Sequence, residues 1–129
     1  MENNNSIESQ SQEDFDMAQY IYSILSSQIF VMMSWGFENP ETIRNGMKFQ
    51  VSGFKFQGDV EIVYNEGQDL FDLAFINSKN ERHTHLGIYF DQLLQVVDDF
   101  VEKTENYKEL VQQTYFNSET EKTDEAINT

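Results

Sequence analysis

The feature that most constrains the fold is the alternation of apolar and polar residues between Met47 and Tyr64. A period of two indicates strands that have one buried face and one face in water. Ser52-Gly53 is suited to the centre of a tight hairpin, which would divide the stretch into two strands. Gly58 leaves the alternation intact on both sides, so we expect a bend or a close backbone contact there. The inward positions are Met47, Phe49, Val51, Phe54, Phe56, Val60, Ile62 and Tyr64.

Two further strands follow the same pattern. The third places Phe71, Leu73 and Phe75 on the inward face. The fourth places Leu86 and Ile88 inward. Because the connecting segments are short and polar, consecutive strands are expected to pair as an antiparallel meander.

On both sides of these strands the apolar residues follow a helical period instead. Spacings of three and four predict a long helix from near residue 12 to Gly36, where glycine can cap the C-terminus. The same spacing resumes at Phe90. Because a break is expected near residues 104–106, this segment is predicted to form either one or two helices. The predicted fold is α+β: a long N-terminal helix, a mainly antiparallel four-stranded meander and one or two C-terminal helices packed on one face of the sheet.

Composition predicts one domain with a tail at each end. The length of 129 residues is typical of a single domain. Residues 1–12 are polar apart from one isoleucine, and residues 117–129 lack an apolar stripe, so we expect a disordered tail and a disordered acidic tail. The domain is expected to cover residues 13–116.

The segment between the first helix and the first strand carries two signals. Asn39, Pro40 and Glu41 form a helix-start pattern, which predicts a short helix that ends at Gly46. Trp35, nearby, is expected either to anchor this connection against the sheet or to project toward a partner.

The long N-terminal helix has an apolar stripe that allows two interpretations. About 22 residues span roughly 33 Å, which is more than a small sheet needs for cover. The stripe can belong to one core helix, or its surplus can form a homodimer seam. The seam residues are Phe15, Ala18, Tyr22, Leu25, Ile29 and Met32.

The charge of the chain restricts its partners. Twenty-three acidic and eight basic residues give a formal net charge of -15. This charge disfavours direct binding to nucleic acids and anionic membranes and favours a protein partner with a basic surface. The acidic opening residues do not resemble a signal peptide, so we expect a cytoplasmic protein. The longest apolar run, Ile29 to Met33, is too short to span a membrane.

The sequence contains few residues suited to catalysis or metal binding. No cysteine, nucleophile elbow or glycine-rich phosphate loop occurs, so we expect no catalytic residue, no cofactor and no enzyme activity. His83 and His85 are expected on the outer face of the fourth strand, near Asp72. Such a trio can hold a metal, but two plain surface histidines beside a loop are the favoured explanation, and no metal site is predicted.

Acidic residues form the most distinctive pattern. We expect a non-catalytic interaction module, with a nucleic-acid-mimicking inhibitor of a DNA- or RNA-handling enzyme as the alternative. A small-ligand binder or enzyme, with a pocket between sheet and helices, is a third interpretation. Simple solubility is the competing explanation for the charge. The candidate partner-binding residues are Asp59, Glu61, Glu66, Asp69, Asp72, Asp91, Asp98, Asp99 and Glu102.

Three runs carry a resemblance to known proteins: Met33–Pro40, Asn45–Phe56 and Ile88–Leu93. Across residues 33–108 the chain resembles small uncharacterised acidic proteins carried on bacterial mobile elements. The resemblance implies a role in conflict or transfer between genomes.

Overall fold

The computed structural model describes residues 2–102, with side chains from residue 9 onward. Three helices, α1 (Glu2–Ser26), α2 (Ile29–Ser34) and α3 (Leu93–Val101), accompany one antiparallel sheet with strand order β1-β2-β3-β4-β5. A short 3₁₀ turn, Phe90–Gln92, leads into α3. The predicted α+β class, N-terminal helix, antiparallel sheet and C-terminal helix are confirmed, but the sheet has five strands. The strands are β1 (Glu38–Ile43), β2 (Gly46–Ser52), β3 (Gln57–Asn65), β4 (Leu70–Ile76) and β5 (Arg82–Ile88).

The additional strand is β1, where a short helix was predicted from the Asn39-Pro40-Glu41 pattern. That prediction is wrong because the segment pairs with β2, and Glu41 lies opposite Lys48. Pro40 is tolerated since β1 is an edge strand, where a missing N–H need not leave a ladder bond unmade. Asn39 and Asn45 have φ angles of 53° and 57°, and they allow the irregular pairing at the start of β1 and the turn after it.

The N-terminal helix differs from its prediction at both ends. α1 begins at Glu2, so it includes most of the range 1–12 in which a tail was predicted. Side-chain hydrogen bonds across one turn, such as Gln10 Nε2 to Asp14 Oδ1 (2.9 Å), support the helix before its apolar stripe begins. The predicted single helix is divided after Ser26, but α2 does end before Gly36, whose φ of 68° fits the predicted cap.

The inward positions of the sheet form the core, as the alternation predicted. Their side chains pack beneath residues from all three helices, including Ile21 and Leu25 of α1 and Val97 of α3. Trp35 is fully buried, which confirms its predicted role as an anchor against the sheet. The buried sheet residues in this core are Met47, Phe49, Val51, Val60, Ile62, Phe71, Leu73 and Phe75.

The connection between β2 and β3 is longer than the predicted two-residue hairpin at Ser52-Gly53. Its backbone is held by the end of α3: the Lys55 N–H donates to the Val101 carbonyl (2.9 Å), and the Phe54 N–H donates to Glu102 Oε2 (2.6 Å). Phe54, predicted to face inward, is 57% exposed. The prediction is wrong because hydrogen bonds to a distant helix compete with a tight turn.

A bulge in β5 changes which of its side chains face the core. His83 and His85 lie opposite inward residues of β4, and the pairing shifts before Ile88. Gly87, with a φ of 71°, allows this irregularity. Ile88 therefore faces the core as predicted, whereas Leu86, predicted inward, is 70% exposed. The bulge places the histidines on the helix side, not on the predicted outer face.

The predicted second part of the C-terminal helix, to residue 116, and the predicted acidic tail 117–129 lie outside the described residues. At Gly58 the structure confirms the predicted close backbone contact. A Cβ at this position would overlap the carbonyl oxygen of Ile76 on β4.

Candidate functional site

The helices pack on the inward face of the sheet, and the opposite face is the first candidate site. We call it the outer face. Among the residues that the structure describes, the outer face presents five carboxylates and two basic groups, so acidic side chains are in excess there. Its charged residues are Glu38, Glu41, Asp59, Glu61, Asp72, Lys48 and Arg82.

Strand register sets the arrangement of these charges. Lys48 of β2 lies between Glu41 of β1 and Glu61 of β3. One residue pair further along, Gln50 lies between Glu38 and Asp59. The carboxylates thus form two rows, one on β1 and one on β3, on either side of strand β2.

Two ion pairs neutralise only part of this charge. Lys48 Nζ lies 3.9 Å from Asp59 Oδ2, and Arg82 Nη2 lies 2.9 Å from Glu61 Oε1. All four side chains are partly exposed, and such surface pairs contribute about 0–1 kcal/mol each. The pairs therefore organise the surface without removing its acidic character.

Asp72 has a structural role at the edge of this face. Its Oδ1 accepts the Gly87 N–H (3.0 Å) and its Oδ2 lies 3.5 Å from Asn65 Nδ2. These contacts hold the bulge of β5 against β4.

The remaining predicted acidic residues divide into exposed and buried ones. Asp91 and Asp99 of the C-terminal segment and Glu66 of the β3–β4 turn are exposed. Asp98 and Glu102 were predicted on the polar side of the helix, but they are only 7% and 4% exposed. Their inclusion in a partner-binding surface is wrong because Trp35 and the 53–56 loop cover them.

These two buried carboxylates hold the fold together. Asp98 Oδ1 accepts the Trp35 indole N–H at 2.9 Å, and Glu102 accepts the Phe54 backbone N–H. Burial raises the pKa of Glu102, and the nearby Asp98 carboxylate raises it further, while the hydrogen bond from Phe54 opposes the rise.

The raised pKa of Glu102 predicts a pH-dependent effect of Glu102→Gln. A group whose pKa is raised by folding stabilises the protein at pH values below its pKa, and this contribution is lost as the pH rises through that pKa. The glutamine variant keeps an oxygen for the Phe54 N–H but avoids burying a charge. We expect it to gain stability over the wild type as the pH rises, measured by urea unfolding between about pH 4 and 8.

The comparison with wild type at each pH is needed because other carboxylates titrate in the opposite sense. The Asn45 N–H donates to Asp14 (2.8 Å) and lowers the pKa of Asp14, so its stabilising contribution is lost as the pH falls. A stability difference between Glu102→Gln and wild type that is constant with pH would contradict the burial argument.

The two histidines do not assemble with Asp72. The rings of His83 and His85 lie 5.7 and 5.6 Å from the Phe100 ring, and His85 also meets Phe75 edge-on at 5.5 Å. Asp72 faces the other side of the sheet. Within residues 2–102, no group of three or more acidic, histidine or cysteine side chains is arranged to hold a metal ion.

The six residues of the predicted dimer seam do not form one surface. Ala18, Leu25 and Met32 are buried in this chain's own core. The other three, Phe15, Tyr22 and Ile29, are partly exposed. On α2 two further apolar side chains, Phe30 and Met33, are 85% and 62% exposed.

A groove beside α1 is a second candidate site, and we call it the tyrosine groove. Its volume is about 600 Å³, and it lies where α1, the β3–β4 turn and the segment after β5 meet. The rings of Tyr20 and Tyr64 lie 6.4 and 5.3 Å from that of Phe71. The groove is lined by Met17, Tyr20, Tyr64, Gln68, Asp69, Leu70, Phe71, Tyr89 and Phe90.

The sequence patterns did not single out this groove. Its rings come from α1, from the adjacent strands β3 and β4, and from the segment after β5. Each ring considered alone has the pattern of an ordinary core or surface residue. A single sequence does not indicate which aromatic residues converge, because convergence depends on the path of the connecting segments.

Comparisons of the chain with protein-family models, curated proteins and solved structures find no match. Among the described residues, no helix combines the length and apolar character needed to cross a bilayer.

Proposed function

We propose that this protein is a non-catalytic, cytoplasmic interaction module that binds a basic protein surface through the outer face of its sheet. The observation that carries the proposal is the pair of carboxylate rows on β1 and β3, on the face opposite the helices. A broad sheet surface with an excess of one charge is suited to a partner of the opposite charge.

The charge of the whole chain supports the same conclusion. A net charge of -15 attracts basic partners over distances of about 8 Å in physiological salt. Binding of this kind weakens as salt rises, whereas an interface dominated by apolar contacts does not. Salt dependence therefore provides a direct test.

The test compares two variants in which three exposed carboxylates are made neutral. The outer-face variant is Glu38→Gln, Glu41→Gln and Asp59→Asn. The control carries the same number of changes away from this face, at Glu13→Gln, Asp16→Asn and Asp91→Asn.

Immobilised wild type and control are expected to retain the same basic proteins from the native host at about 50 mM salt and to lose them at about 500 mM. The outer-face variant is expected to retain at least about tenfold less, which corresponds to roughly 1.4 kcal/mol. Equal retention by the outer-face variant and the control would exclude the outer face as the binding surface.

The exposed apolar residues of α2 support a homodimer as part of this proposal. Phe30 and Met33 lie beside Ile29 of the predicted seam, and burial of such side chains contributes about 1.5–3 kcal/mol each. We expect sedimentation equilibrium to give a molecular mass that rises with concentration, and Phe30→Ser with Met33→Ser to abolish the rise. A strictly monomeric wild type at high concentration would contradict the dimer.

A nucleic-acid-mimicking inhibitor is the second candidate function, and the spacing of the carboxylate rows favours it. Two strand spacings separate β1 from β3, or about 10 Å. The phosphate strands of DNA flank grooves roughly 6 to 12 Å wide. If this function holds, the protein inhibits a nuclease, restriction enzyme or CRISPR-type effector in competition with its nucleic acid; unaffected enzymes would exclude it.

We do not propose the third interpretation, an enzyme or small-ligand pocket, for the interior between the sheet and the helices; the tyrosine groove lies at the margin of this layer. Fully buried side chains, including those of Trp35, Phe49 and Phe75, occupy the space between the inward face of the sheet and the described helices.

A further inference from the structure

We propose that the tyrosine groove binds an arginine side chain of a protein partner. The groove is on the helix side of the sheet, so this site is separate from the outer face and does not depend on the function proposed for it. Its occupant is identified from the shape, the rings and the charge of the groove.

The size and composition of the groove suit one side chain of a bound peptide. A volume of about 600 Å³ lies within the range of ligand sites, which is roughly 300–1,000 Å³. Tyr89 and Phe90 are more than half exposed, and Tyr20 of α1 lines the same groove. Exposed apolar side chains that are contiguous, unlike ones scattered singly, mark a site of interaction.

The charge of the groove favours a positively charged ligand group. Asp69 contributes a carboxylate, and none of the lining residues is basic. Tyr64 donates its hydroxyl proton to Asp69 Oδ1 at 2.5 Å, which fixes the orientation of this carboxylate. A carboxylate has two oxygens and can accept several hydrogen bonds, so Asp69 can accept from Tyr64 and from a ligand together.

The pKa of Tyr64 reflects the same local field. The hydrogen bond to Asp69 raises the pKa of Tyr64 most, desolvation raises it next, and the charges of Asp69 and Glu66 add to the rise. The two carboxylates make this end of the groove negative.

Arginine fits these features better than lysine does. Its planar guanidinium stacks on aromatic faces and presents a fork of N–H donors that matches a carboxylate. A lysine ammonium is a compact, strongly hydrated charge that cannot stack in this way. The ring faces and Asp69 together therefore match a guanidinium.

The test uses a short glycine–arginine peptide, with lysine and citrulline peptides of the same length, titrated into the full-length protein by calorimetry. The groove variants are Tyr20→Leu, Tyr89→Leu and Asp69→Asn; all three side chains are exposed, so folding should be retained. Circular dichroism checks the fold. Glu13→Gln, which removes one exposed carboxylate outside both the groove and the outer face, is the matched control. The outer-face variant Glu38→Gln, Glu41→Gln and Asp59→Asn reports any binding of the peptide at that face.

We expect the arginine peptide to bind the wild type more tightly than the lysine and citrulline peptides do. Each groove variant should weaken binding by about two- to thirtyfold, as expected for the loss of one cation–π or charge contact. The control variant Glu13→Gln should bind the arginine peptide as the wild type does.

Three results would overturn the proposal. Groove variants that bind as the wild type does would show that the peptide binds elsewhere, and loss only in the outer-face variant would assign it to that face. If the citrulline or lysine peptide binds as tightly as the arginine peptide, the groove does not recognise a guanidinium group. Nuclear Overhauser contacts between Tyr20 or Tyr89 and residues beyond 102 in the free protein would show that the chain itself fills the groove.

Discussion

Trp35→Ala is expected to lower the free energy of unfolding by about 3–5 kcal/mol, the largest effect of any single substitution considered for this chain. Trp35 is fully buried between the end of α2 and the sheet, and its ring stacks on Phe49 with centroids 6.4 Å apart. The alanine variant leaves a cavity beside Phe49 and removes the indole donor to Asp98. Urea unfolding followed by circular dichroism measures the loss.

Trp35→Phe separates the stability lost to the cavity from that lost with the hydrogen bond, and Leu86→Ala is a control at an exposed position. Trp35→Phe keeps most of the ring but removes the N–H that Asp98 accepts, and it should cost about 1–3 kcal/mol. Leu86→Ala changes an exposed side chain and should stay within about 0.5 kcal/mol of wild type. If Trp35→Ala costs no more than Leu86→Ala, Trp35 does not anchor the core.

Gly46→Ala is expected to have the second largest effect, a loss of at least about 2–3 kcal/mol. Gly46 begins β2 and lies opposite Val63 of β3. A Cβ at Gly46 would overlap the carbonyl oxygen of Ile62, which belongs to the backbone and cannot turn aside. The two strands must therefore separate, and the β1–β2 hairpin that starts here should be weakened as well.

Gly67→Ala is the matched control for this prediction. Gly67 is in the exposed β3–β4 turn, where the nearest atom to an added Cβ is Asn65 Oδ1 at 3.5 Å, an ordinary contact. Amide hydrogen exchange should show faster exchange in β1 and β2 for Gly46→Ala and little change for Gly67→Ala. Similar exchange in both variants would contradict the steric argument.

The central strands were predictable because their signal is local. Phe49, Ile62 and Leu73 each belong to a series of large apolar residues at every second position of one short segment, and this periodicity holds wherever the strand pairs. The apolar face of α3 was predictable for the same reason. Strand β1 was not predictable from local sequence. Its β conformation comes from pairing with β2, and this pairing outweighs the helix-start pattern at Pro40.

The candidate sites were less predictable than the fold. Strand alternation placed Asp59 and Glu61 correctly on the outer face. The set of acidic residues chosen as partner-binding also included Asp98 and Glu102, which the β2–β3 connection and Trp35 bury. Spacing along the helix shows which residues share a face, but it does not show that a loop near residue 54 will cover that face.

The amino-acid sequence by itself determined the α+β class, the inward faces of the central strands and the acidic charge, because periodicity and composition act over a few neighbouring residues. Only the tertiary structure decided that Pro40 lies in an edge strand, that a bulge at Gly87 turns the histidines inward, and that separate rings meet in the tyrosine groove. These features depend on contacts between residues far apart in the chain, whose energies outweigh local preference only after the sheet has formed.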